Sequence, residues 1–411
     1  MGSIYLAGAS SRARTTKEYL EKLNPDLKVR AFLVSPEMDD NPGEADGIPV
    51  ITISKEFVFS EGNTTLSSES GIDTSARVYI GTRGVNHEKL THELLAIGFA
   101  LDNIIPVTPT LDTELRNEYV RKAFEHKGKA FIKLESLSDV YSQEILSGIR
   151  SNDVIWHQSE TEQLGKDGTK LFIAKTIFDG AFTKDVPLKK YEYILQAGTA
   201  LSQNSSSEVS PSAANDKTGR LTDASFFDND GDNISDKNPH FCELTAMYWI
   251  WKNSQDEIVG LEHWRRRFLL PDNWAELMTG NGYDVILPVP LCVMPSLKEN
   301  FVTRHLPIFW ETTMEIIRKL YPEDAEKAEE YFTKNNLYSP CNMLIARKEV
   351  FDDYSAWLFP ILLELNYRIG EVEDKYQNRY PGFVSERLLN YYFDIRRSDL
   401  KIAYSDKSFL S

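Results

Sequence analysis

The chain has 411 residues, 41% of them apolar and 11% aromatic, and a formal net charge of -16. That is enough length for two domains with sizeable cores. The acidic balance argues against nucleic acid or an anionic membrane as partner, because both recruit clustered Lys and Arg. Cys242, Cys292 and Cys341 are widely spaced and show no CxxC or Cys/His ligand pattern, so reduced thiols are expected and a zinc site is not. The opening MGSIYLAGASSRARTT lacks a basic segment followed by a long apolar one, and no run approaches the roughly 18 apolar residues of a spanning helix. A soluble, cytoplasmic protein without a transmembrane segment is the expectation.

In chain order, residues 3–9 (SIYLAGA) form a short apolar strand closing on Gly8-Ala9-Ser10-Ser11. A helix carrying Leu20 and Leu23 follows, then apolar strands over 29–34, 48–53 and 78–80, the last closed by Gly81-Thr82-Arg83-Gly84. Residues 87–99 carry Leu90, Leu94 and Ile97 at helical spacing, 104–107 form another strand, and 111–126 another helix. Strands alternating with helices predict a parallel sheet with right-handed crossovers. The first domain, 1–150, is therefore a small Rossmann-like α/β unit, with a polar loop or insertion over 57–77. The junction falls near 140–168, where apolar periodicity fades and Gly165-Lys166-Asp167-Gly168 signals a turn. A new sheet begins at 170–174, and the Ser/Asn/Pro-rich stretch 204–219 is expected to be a mobile loop.

Residues 226–268 are the most informative. An Asp- and Asn-rich loop (228–238) leads into a helix (241–251) with Leu244, Tyr248 and Trp251 on one face. A turn and a buried strand (257–261) follow, and the strand delivers Glu262-His263-Trp264-Arg265-Arg266-Arg267 at its carboxyl end. Ligands of open α/β sheets gather at such ends. Strand alternation predicts His263 and Arg265 on one side and Glu262, Trp264 and Arg266 on the other. Guanidinium groups with an imidazole suit a diphosphate. They suit a surface salt-bridge patch in an acidic protein equally well.

This stretch resembles a family of bacterial capsular and exopolysaccharide biosynthesis proteins known by a domain of unknown function. The family pattern is GDNIS-x-x-N, then CELTA-x-YW-x-WKN, then GL-x-HYRRYF. The chain carries Gly231 to Ser235, Asn238, Cys242 to Ala246, Tyr248-Trp249, Trp251 to Asn253, Gly260-Leu261 and His263. It departs from the pattern at Trp264 and Arg267, where the family has tyrosines. The likeness continues through Tyr338-Ser339-Pro340-Cys341-Asn342-Met343, Trp357-Leu358-Phe359 and Gly382-Phe383-Val384-Ser385-Glu386-Arg387. The resemblance implies a GT-A-like glycosyltransferase domain over 168–411. It further implies a nucleotide-sugar donor, a UDP-hexose carrying galactose as pyranose or furanose. The acceptor would be a saccharide or lipid-linked saccharide of a capsule or exopolysaccharide repeat unit. A non-catalytic sugar-binding or scaffold module is the alternative, and a homo-oligomer is left open. The first domain is more weakly similar to the small nucleotide-binding-like domain that precedes sugar acyltransferases. There Gly8, Ser10, Ser11 and Arg12 suit a phosphate, but a structural or docking role ranks above it.

Sugar transfer needs a neutralised leaving diphosphate and usually a carboxylate to deprotonate the acceptor hydroxyl. A metal-based site would show an acidic pair at a strand end, and here His263 and the arginines stand in that position. No cofactor is therefore expected, no metal ligands are assigned, and a divalent metal is not favoured. The donor-binding set is His263, Arg265, Arg266, Asp230, Asp232, Asn233 and Asn238, with a turn-forming role for the loop residues weighed equally. The 228–232 run looks like a calcium loop, but its twelfth position is Pro239 where Glu is required. Glu386, read as opening a helix over 385–393 after Pro381-Gly382, is the first choice for general base, favoured there by the helix dipole. Asp284 is the second. Trp264 is a candidate for stacking on a sugar or base.

Overall fold

The computed structural model describes residues 2–37, 41–58, 71–134, 168–180, 188–202 and 219–408. The expected junction (140–168) and the Ser/Asn/Pro-rich loop (204–219) lie almost wholly outside the described residues, as does most of the expected 57–77 loop. Among the described residues the chain divides into two compact units, one ending at Ala130 and one beginning at Phe131.

The first unit holds β1 (Gly2–Ala7), β2 (Leu27–Val34), β3 (Glu44–Ala45), β4 (Ile48–Thr52), β5 (Arg77–Ile80) and β6 (Ile104–Pro106). Its order is β3-β4-β2-β1-β5-β6, parallel throughout except where β3 turns back on β4. Strand order thus reverses beside β1, the doubly wound arrangement. Both faces of β1 are apolar. Tyr5 and Ala7 pack with Leu33, Val78 and Leu94, while Ile4 and Leu6 pack with Ala13, Leu20 and Phe32. A strand buried on both sides needs helices on both sides, which parallel crossovers supply. Gly81 lets the helix Ser11–Leu23 close on the end of β5, because a Cβ there would sit 2.8 Å from Ala13 Cα.

The second unit holds β7 (Thr169–Lys175), β8 (Glu192–Gln196), β9 (Phe226–Phe227), β10 (Ile258–His263), β11 (Val285–Pro288), β12 (Leu291–Cys292), β13 (Leu337–Tyr338), β14 (Leu344–Arg347) and β15 (Ile402–Ser405). Seven of these form one mixed sheet, β15-β11-β14-β10-β7-β8-β9. β7 to β10 run parallel, and β14 runs against both β10 and β11. Gly260 is confined at the centre of the sheet, since a Cβ there would meet Leu171 at 2.7 Å and Ile345 at 2.8 Å. One face buries Leu171, Ile286 and Ile345 against Trp274 and Met278. Against the other, Trp249 packs on Phe172, and Trp251 of the same helix (Leu244–Asn253) stacks on Phe359 at 5.6 Å. The α/β expectation for both halves therefore holds.

Residues 131–134 pack with this second unit. Leu134 N donates to Tyr404 O at 2.7 Å, Tyr404 N donates to Ile132 O at 2.8 Å, and Leu134 is 6% exposed. A fragment starting at residue 129 should therefore fold alone, whereas one starting at 168 should be less stable by about 2 kcal/mol or more, the worth of one buried Leu. Urea unfolding of the two fragments checks this, and equal midpoints would contradict it.

Candidate functional site

Because β7, β8, β9 and β10 are parallel, the residues that follow them share one edge of the sheet. Lys175, Gln196, Asp228 and His263 gather there. The chain does not leave β10 as an extended strand. His263 N donates to Arg266 O and Arg266 N to His263 O, both at 3.0 Å. Trp264 and Arg265 thus form the tip of a tight turn, and the expected alternation of His263 and Arg265 on one strand face does not occur. Arg265 is exposed and Arg266 half-buried. Arg267 is fully buried, its Nη1 3.0 Å from Glu192 Oε2. Trp264 is not open to a substrate. Its Nε1 donates to Gly180 O at 3.1 Å, and Lys175 Nζ covers its ring at 3.9 Å. Glu262 closes the turn by accepting from Phe268 N at 2.6 Å. Burial pushes its carboxyl up to about 8, Glu192 adding to the rise, with Lys189, the Phe268 N–H and Arg267 opposing it.

His263 meets a second buried group across this edge. Its ring hydrogen-bonds the Cys341 backbone, and burial holds its pKa below the ordinary value. It is therefore a neutral imidazole rather than a cation, and its Nε2 is buried without a partner. Cys341 N donates to Glu386 Oε1 at 2.8 Å, and Arg387 Nη1 holds Glu386 Oε2 at 3.1 Å. Asn342 Nδ2 donates to Glu243 Oε1 at 2.8 Å and to Gly382 O at 3.1 Å, while Asn342 Oδ1 is buried and unpartnered. Burial raises the Glu386 pKa. Arg387, the Cys341 N–H and Arg266 pull it down, and Glu243 adds to the rise. Arg379 Nε donates to Cys242 Sγ at 3.0 Å. Cys242, Cys341 and Asn342 have φ of 49°, 77° and 51°. Three non-glycine residues in the left-handed region around one cluster mark stored strain, which collects at functional sites.

The structure thus brings together His263, Arg266 and Glu386, with Glu243, Asn342, Arg379 and Arg387 added. Asp284 is not among them. It directly precedes β11, beside Arg347, which pairs with Ile258 at the far end of β10, about 16 Å of strand from His263. Its carboxylate accepts from Lys401 N at 2.7 Å. The 228–238 loop is largely tied by bonds within itself and to Arg220, Tyr248 and Asn253. Asp230 pairs with Arg220 at 2.7 Å, and Asp232 accepts from Tyr248 OH at 3.3 Å. Asn233 donates to Gly231 O at 2.8 Å, and Gly231 has φ 67°, a left-handed conformation that favours glycine. Only Asn238 reaches the cluster, donating to Cys242 O at 2.8 Å. Glu386 does not open its helix. That helix is Tyr380–Tyr391 with Pro381 in its first turn, so Glu386 lies beyond the reach of the dipole and is held by Cys341 and Arg387 instead. Among the described residues no three His, Cys, Asp or Glu side chains are grouped so as to hold a metal ion, and no helix is long and apolar enough to cross a membrane.

Glu243, Asn342 and Arg387 stand inside the motifs CELTA, SPCNM and GFVSER, so their sequence signal was the motif itself. Nothing in spacing pointed to Arg379.

Residues 208–397 match the family model described as a domain of unknown function, DUF4422. Among solved structures, the chain is similar to one described as the apo structure of the WbbM bifunctional glycosyltransferase, at 25% identity and a TM-score of 0.48. That likeness covers 60% of this chain and 46% of the other, so the chain spans less than half of that structure. No curated protein matches.

Proposed function

We propose that the second unit is a glycosyltransferase acting in the cytoplasm. It would transfer a hexose, galactose in pyranose or furanose form, from a UDP-sugar to a saccharide or lipid-linked saccharide acceptor of a capsule or exopolysaccharide repeat unit. The observation that carries the reading is the meeting of His263, Arg266 and Glu386 at the carboxyl edge of the parallel strands, with the motif resemblance as its second support. In this reading Arg266, with Arg265 at the turn tip, neutralises the departing diphosphate. Glu386 takes the acceptor proton, and His263, with its Nε2 buried, packs against the Cys341 backbone that holds Glu386.

Arg266→Ala should weaken UDP binding at least about tenfold, the worth of one charge-assisted hydrogen bond, and Arg265→Ala should weaken it less. Titration calorimetry with UDP checks this, and wild-type affinity in Arg266→Ala would remove the diphosphate from this turn.

One observation favours the second reading, a sugar-binding module without turnover. Both Glu386 oxygens already have protein partners. UDP formation from UDP-galactose separates the two readings.

A further inference from the structure

His305, Tyr376 and Phe383 form an aromatic group next to the candidate site. The His305 and Phe383 centroids are 4.2 Å apart at 21°, and Tyr376 lies 4.9 Å from Phe383 and 6.0 Å from His305. His305 is 7% exposed, and burial pushes its pKa down to about 4. It is therefore a neutral flat ring supporting its neighbours. Tyr376 is 55% exposed, so the group is covered from below and open above.

Its placement ties it to the site. Arg379, Phe383 and Glu386 fall on one stripe of the helix Tyr380–Tyr391 and its first boundary residue, four and three positions apart. The Arg379 guanidinium lies 5.7 Å from the Phe383 ring and also holds Cys242 Sγ. Phe383, half-buried, thus stands about one helical turn from the carboxylate read as general base, with a guanidinium at its side, and the exposed Tyr376 ring lies 4.9 Å beyond it.

We infer that Tyr376, supported by Phe383 and His305, is the platform on which the acceptor saccharide stacks. A sugar ring has an apolar C–H face and a rim of hydroxyls. The face matches an open aromatic ring, and the rim matches the charged Arg379 beside it. The inference rests on the glycosyl-transfer reading, in which the acceptor hydroxyl must come within hydrogen-bonding distance of Glu386.

Saturation-transfer NMR on the full chain tests it, with UDP, methyl β-galactopyranoside and methyl β-galactofuranoside as probes. Wild type should bind UDP and at least one galactoside. Tyr376→Ala should weaken the galactoside about tenfold while its melting temperature stays that of wild type and UDP still raises it. Tyr376→Phe, which keeps the ring, should restore galactoside binding. Unchanged galactoside affinity in Tyr376→Ala overturns the inference, and so does a wild type that binds UDP but neither galactoside. A wild type that binds a galactoside through Tyr376 but does not bind UDP supports the platform and defeats the transferase reading.

Discussion

Arg267→Ala is expected to lower the stability of the second unit by about 3–5 kcal/mol, the cost of removing one partner of a buried ion pair. The pair is Arg267 with Glu192, 3.0 Å apart with side chains 0% and 1% exposed. Glu192 Oε2 also accepts from Lys189 N at 2.7 Å, and Glu262 lies in the same buried group. Without the guanidinium, two carboxyls share one buried region with less positive charge opposing them. The pH dependence has a sign. The folded pKa of Glu262 is raised from 4.5 to about 8, so the folded state holds that proton more tightly than the unfolded chain. Its contribution to stability is present in acid and is lost as pH rises from the lower value through the higher. Arg267 pulls Glu262 down, so removing it should carry this loss on to higher pH and make it larger in total. Arg265→Ala, at the exposed turn tip, should change stability by no more than about 0.5 kcal/mol. Urea unfolding of both variants across pH reads the difference. Equal effects would mean that the arginine run is one surface patch.

Glu386→Gln is expected to lower kcat at least about 100-fold, the lower range for a lost general base. The amide keeps the size of the side chain and can still accept from Cys341 N, so the left-handed turn at Cys341 and Asn342 should survive. The proton acceptor is lost. Because burial raises the Glu386 pKa above the ordinary carboxylate value, wild-type kcat should fall with acidification sooner than for an exposed glutamate. The variant should lack that limb of the profile. Near-normal turnover in Glu386→Gln would move the role to Glu243 or His263.

Much of the scaffold was legible because it is written in short apolar runs between turn residues. The strand 78–80 follows from Val78 and Ile80 with Gly81 as punctuation, and the helix read over 87–99 from Leu90, Leu94 and Ile97 is found over His87–Ile97. The site was less legible, and for identifiable reasons. Residues 241–251 read as one helix, yet the chain breaks at Cys242 into Asn238–Phe241 and Leu244–Asn253. A left-handed cysteine carries no Gly or Asn signal. The turn at Trp264-Arg265 likewise lacks the residues that announce a two-residue turn, so alternation was extended past the strand. Pro381-Gly382 reads as a turn ahead of the helix, whereas proline in the first turn begins it. That shifted Glu386 from a helix start to its second turn. Cys341 and Asn342 meet Glu386 and Glu243 across about 45 and 99 residues of chain, and no local pattern encodes such a meeting.

The most direct test is UDP release from UDP-galactose by the full chain with a saccharide acceptor, in EDTA and again with manganese. The strand end where an acidic pair would hold a cation carries a neutral imidazole and guanidinium groups instead, and the guanidinium groups attract a diphosphate directly. The account predicts UDP formation at the same rate in EDTA as in manganese, reduced by Arg266→Ala. Activity abolished by EDTA and restored by manganese, or no UDP formed under either condition, would contradict it.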